Sequence, residues 1–211
     1  MAAAGFTLVE LLLALALGLC LSGVMLQALL ADGQNSQRWT RLLRERQWQR
    51  RTLELIRGDL QRASAVSPVP ELEGHACQLG GRLPVLHLST SAGPITYTVG
   101  SAPSAIWRGQ VLMRCGPAFG LDGQPSSASQ PQNRVVIDGL AAQAQPWGGC
   151  AALLGQPGDG LVDLAGSTAQ PFSACQDRTR GLVGLRLLQE FRSPAGAVQR
   201  LQQELLVGLS G

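Results

Sequence analysis

An uninterrupted apolar segment near the N-terminus constrains this chain more than any other feature. From Phe6 to Ala31 the sequence reads FTLVELLLALALGLCLSGVMLQALLA, and Glu10 is its one charged residue. Because an α-helix rises about 1.5 Å per residue, about 20 apolar residues cross the ~30 Å hydrocarbon core of a bilayer. The stretch from Leu11 to Leu30 is long enough and lacks the polar face of a soluble-core helix. The sequence therefore predicts a membrane-spanning helix.

Two common kinds of N-terminal segment also carry an apolar helix. A secretory signal peptide has a basic first region and a shorter apolar run, and here no arginine or lysine precedes the run. A plain signal anchor fits the length but does not account for Glu10. An ionisable side chain at the edge of a membrane span is costly and points to a function.

The charge distribution argues against a basic domain that binds nucleic acid. The chain has 211 residues, 45% hydrophobic and 15% charged, and all 17 basic residues are arginine, for a net charge of +3. Residues 6–64 carry eight arginines and five acids, whereas residues 65–211 carry nine of each. A nucleic-acid-binding head would need a clustered basic excess. The length suits one domain with an N-terminal appendage.

The start of the apolar run forms a specific motif. Gly5-Phe6-Thr7-Leu8-Val9-Glu10 resembles the type III signal of type IV pilins and type II secretion pseudopilins. The resemblance implies that a prepilin peptidase cuts after Gly5 and methylates the new terminal Phe6, so that Met1–Gly5 is the leader. The leader MAAAG departs from the family pattern because it has no basic residue. Partners implied by the resemblance are other pilin or pseudopilin subunits and an inner-membrane assembly platform, with the lipid bilayer around the helix before assembly.

The chemistry of Glu10 agrees with such an assembly. A carboxylate at membrane depth must find a partner or take up a proton. The Phe6 amine of a neighbouring subunit would neutralise both charges and set the stagger between packed helices. There are two alternatives: Glu10 contacts Phe6 of its own chain, or its side chain extends to the membrane–water interface.

The two signals of membrane orientation disagree. Arg38, Arg41, Arg44 and Arg46 follow the span, and the positive-inside rule would place them in the cytoplasm. The signal motif and the later cysteines favour the opposite orientation. We expect a single-pass inner-membrane protein with its head in the periplasm, at the cell surface or in a pilus after assembly.

Residues 32–64 are expected to continue the helix as an amphipathic stalk. Leu53, Ile56, Leu60 and Ala63 form its clearest apolar stripe, so the later part should pack on the head while the middle, including Gln49, is more exposed. Residues 67–70, Ser-Pro-Val-Pro, are expected to end the helix. For RWTRLLRERQWQRR we favour a solvated face with Arg–Glu pairs; contact with anionic lipid or with acidic faces of neighbouring stalks is an alternative.

Residues 65–211 read as a β-rich globular head, which makes the predicted fold class α+β: a pilin-like lollipop with a long N-terminal helix packed on the head. Val198–Val207 fits either a strand or a helix, although the preceding Ser-Pro-Ala-Gly is typical of a hairpin turn. Residues 116–133 and 141–180 are expected to be long loops with some local structure. The strands predicted from β-like runs between turn residues are Leu83–Ser89, Ile95–Val99, Ile106–Met113, Arg134–Leu140 and Leu182–Arg192.

A narrower resemblance appears in the stalk end and the closing strands. Residues 52–63, TLELIRGDLQRA, together with Leu182–Arg192 and Val198–Leu209, are similar to PilW-type minor pilins and J-type minor pseudopilins. The resemblance implies a minor subunit at or near the filament tip.

Five cysteines are present, one of them, Cys20, within the apolar run. Cys77, Cys115, Cys150 and Cys175 lie in the head, and an even number in an exported domain favours two disulfides of about 2–4 kcal/mol each. Three pairings are possible. Sequence proximity favours Cys77–Cys115 and Cys150–Cys175.

No active site is visible in the head. His75-Ala-Cys77 lacks the spacing of a zinc site, and neither His75 nor His87 belongs to a recognisable nucleophile motif. Residues 159–163, DGLVD, miss the calcium-loop spacing and fit turn aspartates better. We therefore expect no cofactor, no metal and no enzymatic activity. The favoured function is a structural minor pilin or pseudopilin; the alternative is a membrane-anchored periplasmic binding or enzymatic domain with an accidental motif.

Overall fold

A computed structural model of the chain describes residues 7–67, 77, 80–142, 148–155, 160–165, 171–193 and 196–209. The chain divides into two compact units, Met1–Glu45 and Arg46–Gly211. We call the second one the head unit. The architecture is an apolar N-terminal helix followed by a β-rich head, as the α+β fold class predicted.

Helix α1 runs from Leu8 to Gln61. Its first 23 residues, Leu8–Leu30, are long and apolar enough to cross a membrane. From Arg46 onward α1 belongs to the head unit, where the predicted stripe of Leu53, Ile56 and Leu60 is buried. Helix α1 ends at Gln61, inside the range 32–64 predicted for the stalk, and residues 63–67 pair with a strand, so the helix ends before Ser67. Residues 68–70, also predicted to end the helix, lie outside the described residues.

The described part of the head unit contains nine strands in one antiparallel sheet. The order along the sheet is β1-β2-β3-β4-β5-β8-β7-β6, and β9 pairs with β8. The strands are β1 (Ala63–Ser67), β2 (Leu83–Thr90), β3 (Gly93–Ser101), β4 (Gln110–Gly116), β5 (Gln132–Leu140), β6 (Leu161–Asp163), β7 (Phe172–Asp177), β8 (Leu182–Arg192) and β9 (Val198–Gly208). A short helix, α2 (Gly149–Leu154), lies between β5 and β6 in the sequence.

The core is formed between the end of α1 and one face of the sheet. Alternation along the strands places one set of side chains on that face, where burial of apolar area stabilises the fold. The fully buried members include Leu53, Ile56 and Leu60 of α1 and Val85, Ile95, Tyr97, Leu112, Phe172, Leu185 and Leu187 of the sheet.

Several elements differ from their predicted bounds, and one ambiguous segment has a definite structure. The region Val198–Val207 is strand, paired with β8 along its whole length. The strand predicted from Ile106 begins at Gln110, because Gly109 has φ +57° and Ile106 is exposed in the preceding loop. The region 141–180, predicted as a long loop with some local structure, contains α2, β6 and β7. Gln49, expected to be exposed, is buried and donates from Nε2 to the Leu201 carbonyl oxygen at 3.0 Å.

Candidate functional site

The N-terminal end of α1 is closed by Thr7 and Glu10. The Thr7 backbone N–H and hydroxyl both donate to Glu10 Oε2 at 3.0 Å, and the Glu10 N–H reaches Thr7 Oγ1 at 3.4 Å. This is a capping box, which satisfies N–H groups that have no partner within the helix. No described residue donates to Glu10 Oε1. Among the described residues, only Oε2 of this carboxylate therefore has donors.

The predicted processing site lies just upstream of the described chain. Gly5 and Phe6 fall outside the described residues, as does the leader. A contact between Glu10 and Phe6 of the same chain therefore lies outside the described residues. The described partner of Glu10 is Thr7, a contact that was not predicted from the sequence. The pattern T-x-x-E before an apolar run was a sufficient signal for it.

The apolar part of α1 is exposed on every side. Every described side chain from Thr7 to Leu30 is classed as exposed, including Cys20, which is free. A continuous apolar surface of this length marks a membrane or protein contact. The side chains of this segment are therefore not covered by any described part of the chain.

All four cysteines of the head form disulfides. Cys77 pairs with Cys115 of β4, and Cys150 of α2 pairs with Cys175 of β7, with Cα–Cα distances of 6.0 and 5.5 Å. This is the pairing that sequence proximity favoured. The second bond fixes α2 to the sheet.

A buried polar cluster of the head unit centres on Asp59, near the end of α1. Asp59 Oδ2 accepts from the Tyr97 hydroxyl at 2.6 Å and from Arg114 Nε at 2.7 Å. Its Oδ1 accepts from Arg62 Nη2 at 2.9 Å and from Arg114 Nη2 at 3.3 Å. Arg114 Nη1 also donates to the Pro117 carbonyl oxygen at 3.0 Å. The cluster joins α1 to β3, β4 and the loop that follows β4.

Burial and charge set the protonation of this cluster. Burial raises the pKa of Tyr97 well above its usual value, and the Asp59 carboxylate adds to the effect, so the phenol stays neutral. Burial alone would lower the pKa of Arg114, but the hydrogen bonds and charge of Asp59 outweigh it and raise that pKa. A neutral donor and a permanent cation therefore face one carboxylate.

The sequence reading missed Asp59, Tyr97 and Arg114. The available signal was Asp59 itself, since it interrupts the stripe Leu53, Ile56, Leu60 on a face predicted to be buried. A charged residue on such a face needs a buried partner. Nothing in sequence spacing could have identified that partner as Arg114 in a strand 55 residues later.

The remaining candidates that the structure describes are His87 and Asp163. His87 Nδ1 lies 2.8 Å from Thr96 Oγ1, across the β2–β3 ladder. Asp163 Oδ1 accepts from the Ala165 N–H, as expected of a turn aspartate. His75 and Asp159 lie outside the described residues. Within the described residues, no group of three or more His, Cys, Asp or Glu side chains is placed to hold a metal ion.

Comparison with known proteins adds no relative. No family model, curated protein or solved structure matches this chain.

Proposed function

We propose that this chain is a structural minor subunit, a minor pilin or pseudopilin, of a type IV pilus or type II secretion-type filament. The observation that carries the proposal is the N-terminal helix: apolar and exposed on all sides, with one carboxylate in its first turn and Gly5-Phe6-Thr7 directly before it. Such a helix needs a bilayer before assembly and other helices after it.

The proposed assembly chemistry uses Oε1 of Glu10. Cleavage after Gly5 would create a cationic amine on Phe6, and N-methylation would keep that charge. Thr7 donates to Glu10 Oε2, and no described residue donates to Oε1, which would accept from the Phe6 amine of a neighbouring subunit. A charge that is left unpaired out of water is costly, so only the stagger that brings Glu10 against the Phe6 amine would be favourable. This contact would thereby set the register between helices.

The proposed position of the subunit is at or near the filament tip, or in the initiation of assembly. The support is the resemblance of the stalk end and of the paired β8 and β9 to PilW-type and J-type minor subunits. The proposed partners are the prepilin peptidase, other pilin or pseudopilin subunits and the inner-membrane assembly platform.

The mass of the mature N-terminus tests the processing step. A chain that begins with N-methylated Phe6 is the expected result, and Gly5→Val should retain the leader, because a side chain at this position would clash in the peptidase cleft. Ala3→Val, two residues upstream, is the control and should be processed normally. An intact Met1 in the wild type would indicate a plain signal anchor, and cleavage after the apolar run would indicate a signal peptide. Either result would contradict the proposed processing.

Two substitutions separate the charge of Glu10 from its capping role. Glu10→Gln keeps a hydrogen-bonding side chain at the cap and removes the charge, whereas Thr7→Ala removes the cap and keeps the charge. If the charge pairs between subunits, Glu10→Gln should be processed but poorly incorporated into filaments, and Thr7→Ala should incorporate better. Equal incorporation of Glu10→Gln and the wild type would rule out charge pairing.

A further inference from the structure

A basic cleft opens on the head unit beside α1. It has a volume of about 270 Å³ and lies between the α1 residues Trp48, Arg51 and Leu55 and the strands β4 and β5 with the loop that joins them. Small-molecule sites start at about 300 Å³, so this cleft suits one or two side chains of a partner.

The charges that line the cleft are all positive. Arg51, Arg114 and Arg134 contribute to it, and no described acidic side chain lines it. The buried Asp59 carboxylate compensates the charge of Arg114. Arg51 and Arg134 are exposed and make no ion pair with a described acid. Arg134 also lies directly opposite Arg114 in the β4–β5 ladder. Because Asp59 already compensates Arg114, the positive charges left for a bound anion are those of Arg51 and Arg134.

The rest of the lining is apolar and partly aromatic. Leu55 and Val136 are half-buried, and Trp48 and Phe119 are partly exposed beside them. The Arg51 guanidinium lies 5.9 Å from the Trp48 ring centroid, and that of Arg114 lies 4.8 Å from the Phe119 centroid. Guanidinium groups held against aromatic rings are pre-oriented for a planar carboxylate.

We propose that this cleft binds an acidic segment of another protein, in which a glutamate or aspartate carboxylate contacts Arg51 and Arg134 and a neighbouring apolar side chain packs on Trp48 and Leu55. The cleft lies wholly within the head unit, so the inference is independent of how the N-terminal helix assembles.

The same features fit a single-stranded nucleic acid less well. Such sites stack successive bases on open aromatic faces along a groove of several nucleotides. Here a guanidinium already covers a face of each ring, and the cleft has room for only one or two side chains.

Peptide binding to the full chain in detergent micelles tests the inference. The probe is a fluorescein-labelled peptide of alternating leucine and glutamate, and its counterpart has glutamine in place of glutamate; both are measured by anisotropy against empty micelles. We expect saturable binding of the glutamate peptide, weakened about tenfold or more by Arg51→Gln with Arg134→Gln, and equally weakened by the glutamine replacement. The control is Arg178→Gln with Arg192→Gln, which removes the same charge from exposed sites elsewhere in the head and should bind like the wild type.

Three results would overturn the inference. The first is no saturation up to about 1 mM peptide, the weakest affinity that is meaningful for such a contact. The second is equal loss of binding in the cleft variant and in the control, which would indicate attraction by net charge alone. The third is a cleft variant that loses affinity for oligothymidylate and keeps it for the peptide, which would assign the cleft to nucleic acid. Near-ultraviolet circular dichroism checks that each variant is folded.

Discussion

At the scale of single residues, Asp59 accepts four side-chain hydrogen bonds in the head unit. Its side chain is fully buried, and its two oxygens accept from Tyr97, Arg62 and Arg114. The buried carboxylate is tolerated there because each of its oxygens accepts two hydrogen bonds, some of them from cations. Removing one member of such a buried ion pair leaves the others without compensation.

Asp59→Asn should therefore be strongly destabilising. The neutral amide cannot compensate the buried Arg114, and we expect a loss of about 3–5 kcal/mol in the free energy of unfolding. Glu54→Gln is the control, since it breaks only the exposed Glu54–Arg57 pair of 3.6 Å and should cost less than about 1 kcal/mol. Unfolding in detergent, followed by near-ultraviolet circular dichroism, measures both. Similar midpoints for the two variants would show that the cluster contributes little.

Tyr97 should make the head unit sensitive to alkali. Burial raises its pKa in the folded chain, so above the ordinary value of about 10 only the unfolded chain releases the proton. The contribution of Tyr97 to the free energy of unfolding is then fully present below about pH 10. It falls as the pH rises toward the pKa of the folded chain, by up to about 1.4 kcal/mol per pH unit.

Absorbance of the tyrosinate measures this directly, because Tyr97 is the one tyrosine of the chain. We expect the absorbance to appear together with unfolding, and Tyr97→Phe should lose stability less steeply with pH. A reversible tyrosinate signal near pH 10 in a chain that stays folded would contradict the assigned pKa direction.

At the scale of elements, α2 packs on the sheet at a glycine. A Cβ added to Gly184 of β8 would lie 3.0 Å from Leu153 Cγ and from Leu154 Cδ2. The Cys150–Cys175 bond holds the same helix to the neighbouring strand β7. The helix thus has little room to retreat from an added methyl group.

Gly184→Ala should therefore lower stability by about 1–3 kcal/mol, the usual cost of overpacking. Gly208→Ala is a matched control at the end of the adjacent β9, where an added Cβ meets no described atom within 4 Å. It should be neutral or slightly stabilising, since alanine restricts the unfolded chain. Denaturant titration of both variants decides, and equal midpoints would mean that α2 adapts without cost.

Elements also show where sequence reasoning succeeds and where it ends. Strands with long apolar runs between turn residues, such as β2, β3 and β8, could be located because side-chain pattern and turn chemistry agree there. β6 and β7 could not, because Leu161–Asp163 is only three residues long and Phe172–Asp177 lacks alternation; tertiary pairing creates both. β1 was hidden for a related reason, since Ala63–Ser67 reads as a helix end until β2 is beside it.

At the scale of the whole molecule, the two units have opposite requirements. Met1–Glu45 contains the apolar span, whose side chains need lipid or other helices, whereas Arg46–Gly211 buries its apolar residues in a core of its own. The 45% hydrophobic fraction therefore overstates what the head can bury. Glu10 stands out in the sequence as one charge in an apolar run, whereas the Asp59 cluster depends on contacts between residues far apart in the sequence.

The two disulfides should stabilise the head unit as a whole. Replacing Cys150 and Cys175 together by alanine should lower the free energy of unfolding by about 2–4 kcal/mol, through the larger freedom of the unfolded chain. Cys20→Ala is the control, because this cysteine is free and lies in the apolar helix. Thermal unfolding without reductant compares them, and an unchanged midpoint in the double variant would show that α2 and β7 are held without the bond.

The contact between Gln49 and Leu201 has a consequence for the order of synthesis. These residues are 152 positions apart, and β8 and β9, which supply Leu185, Leu187 and Val207 to the core, leave the ribosome last. The end of α1 is therefore made long before β8 and β9, and its contact with Leu201 forms only after both strands are synthesised. The core of the head unit is complete only when β9 has left the ribosome.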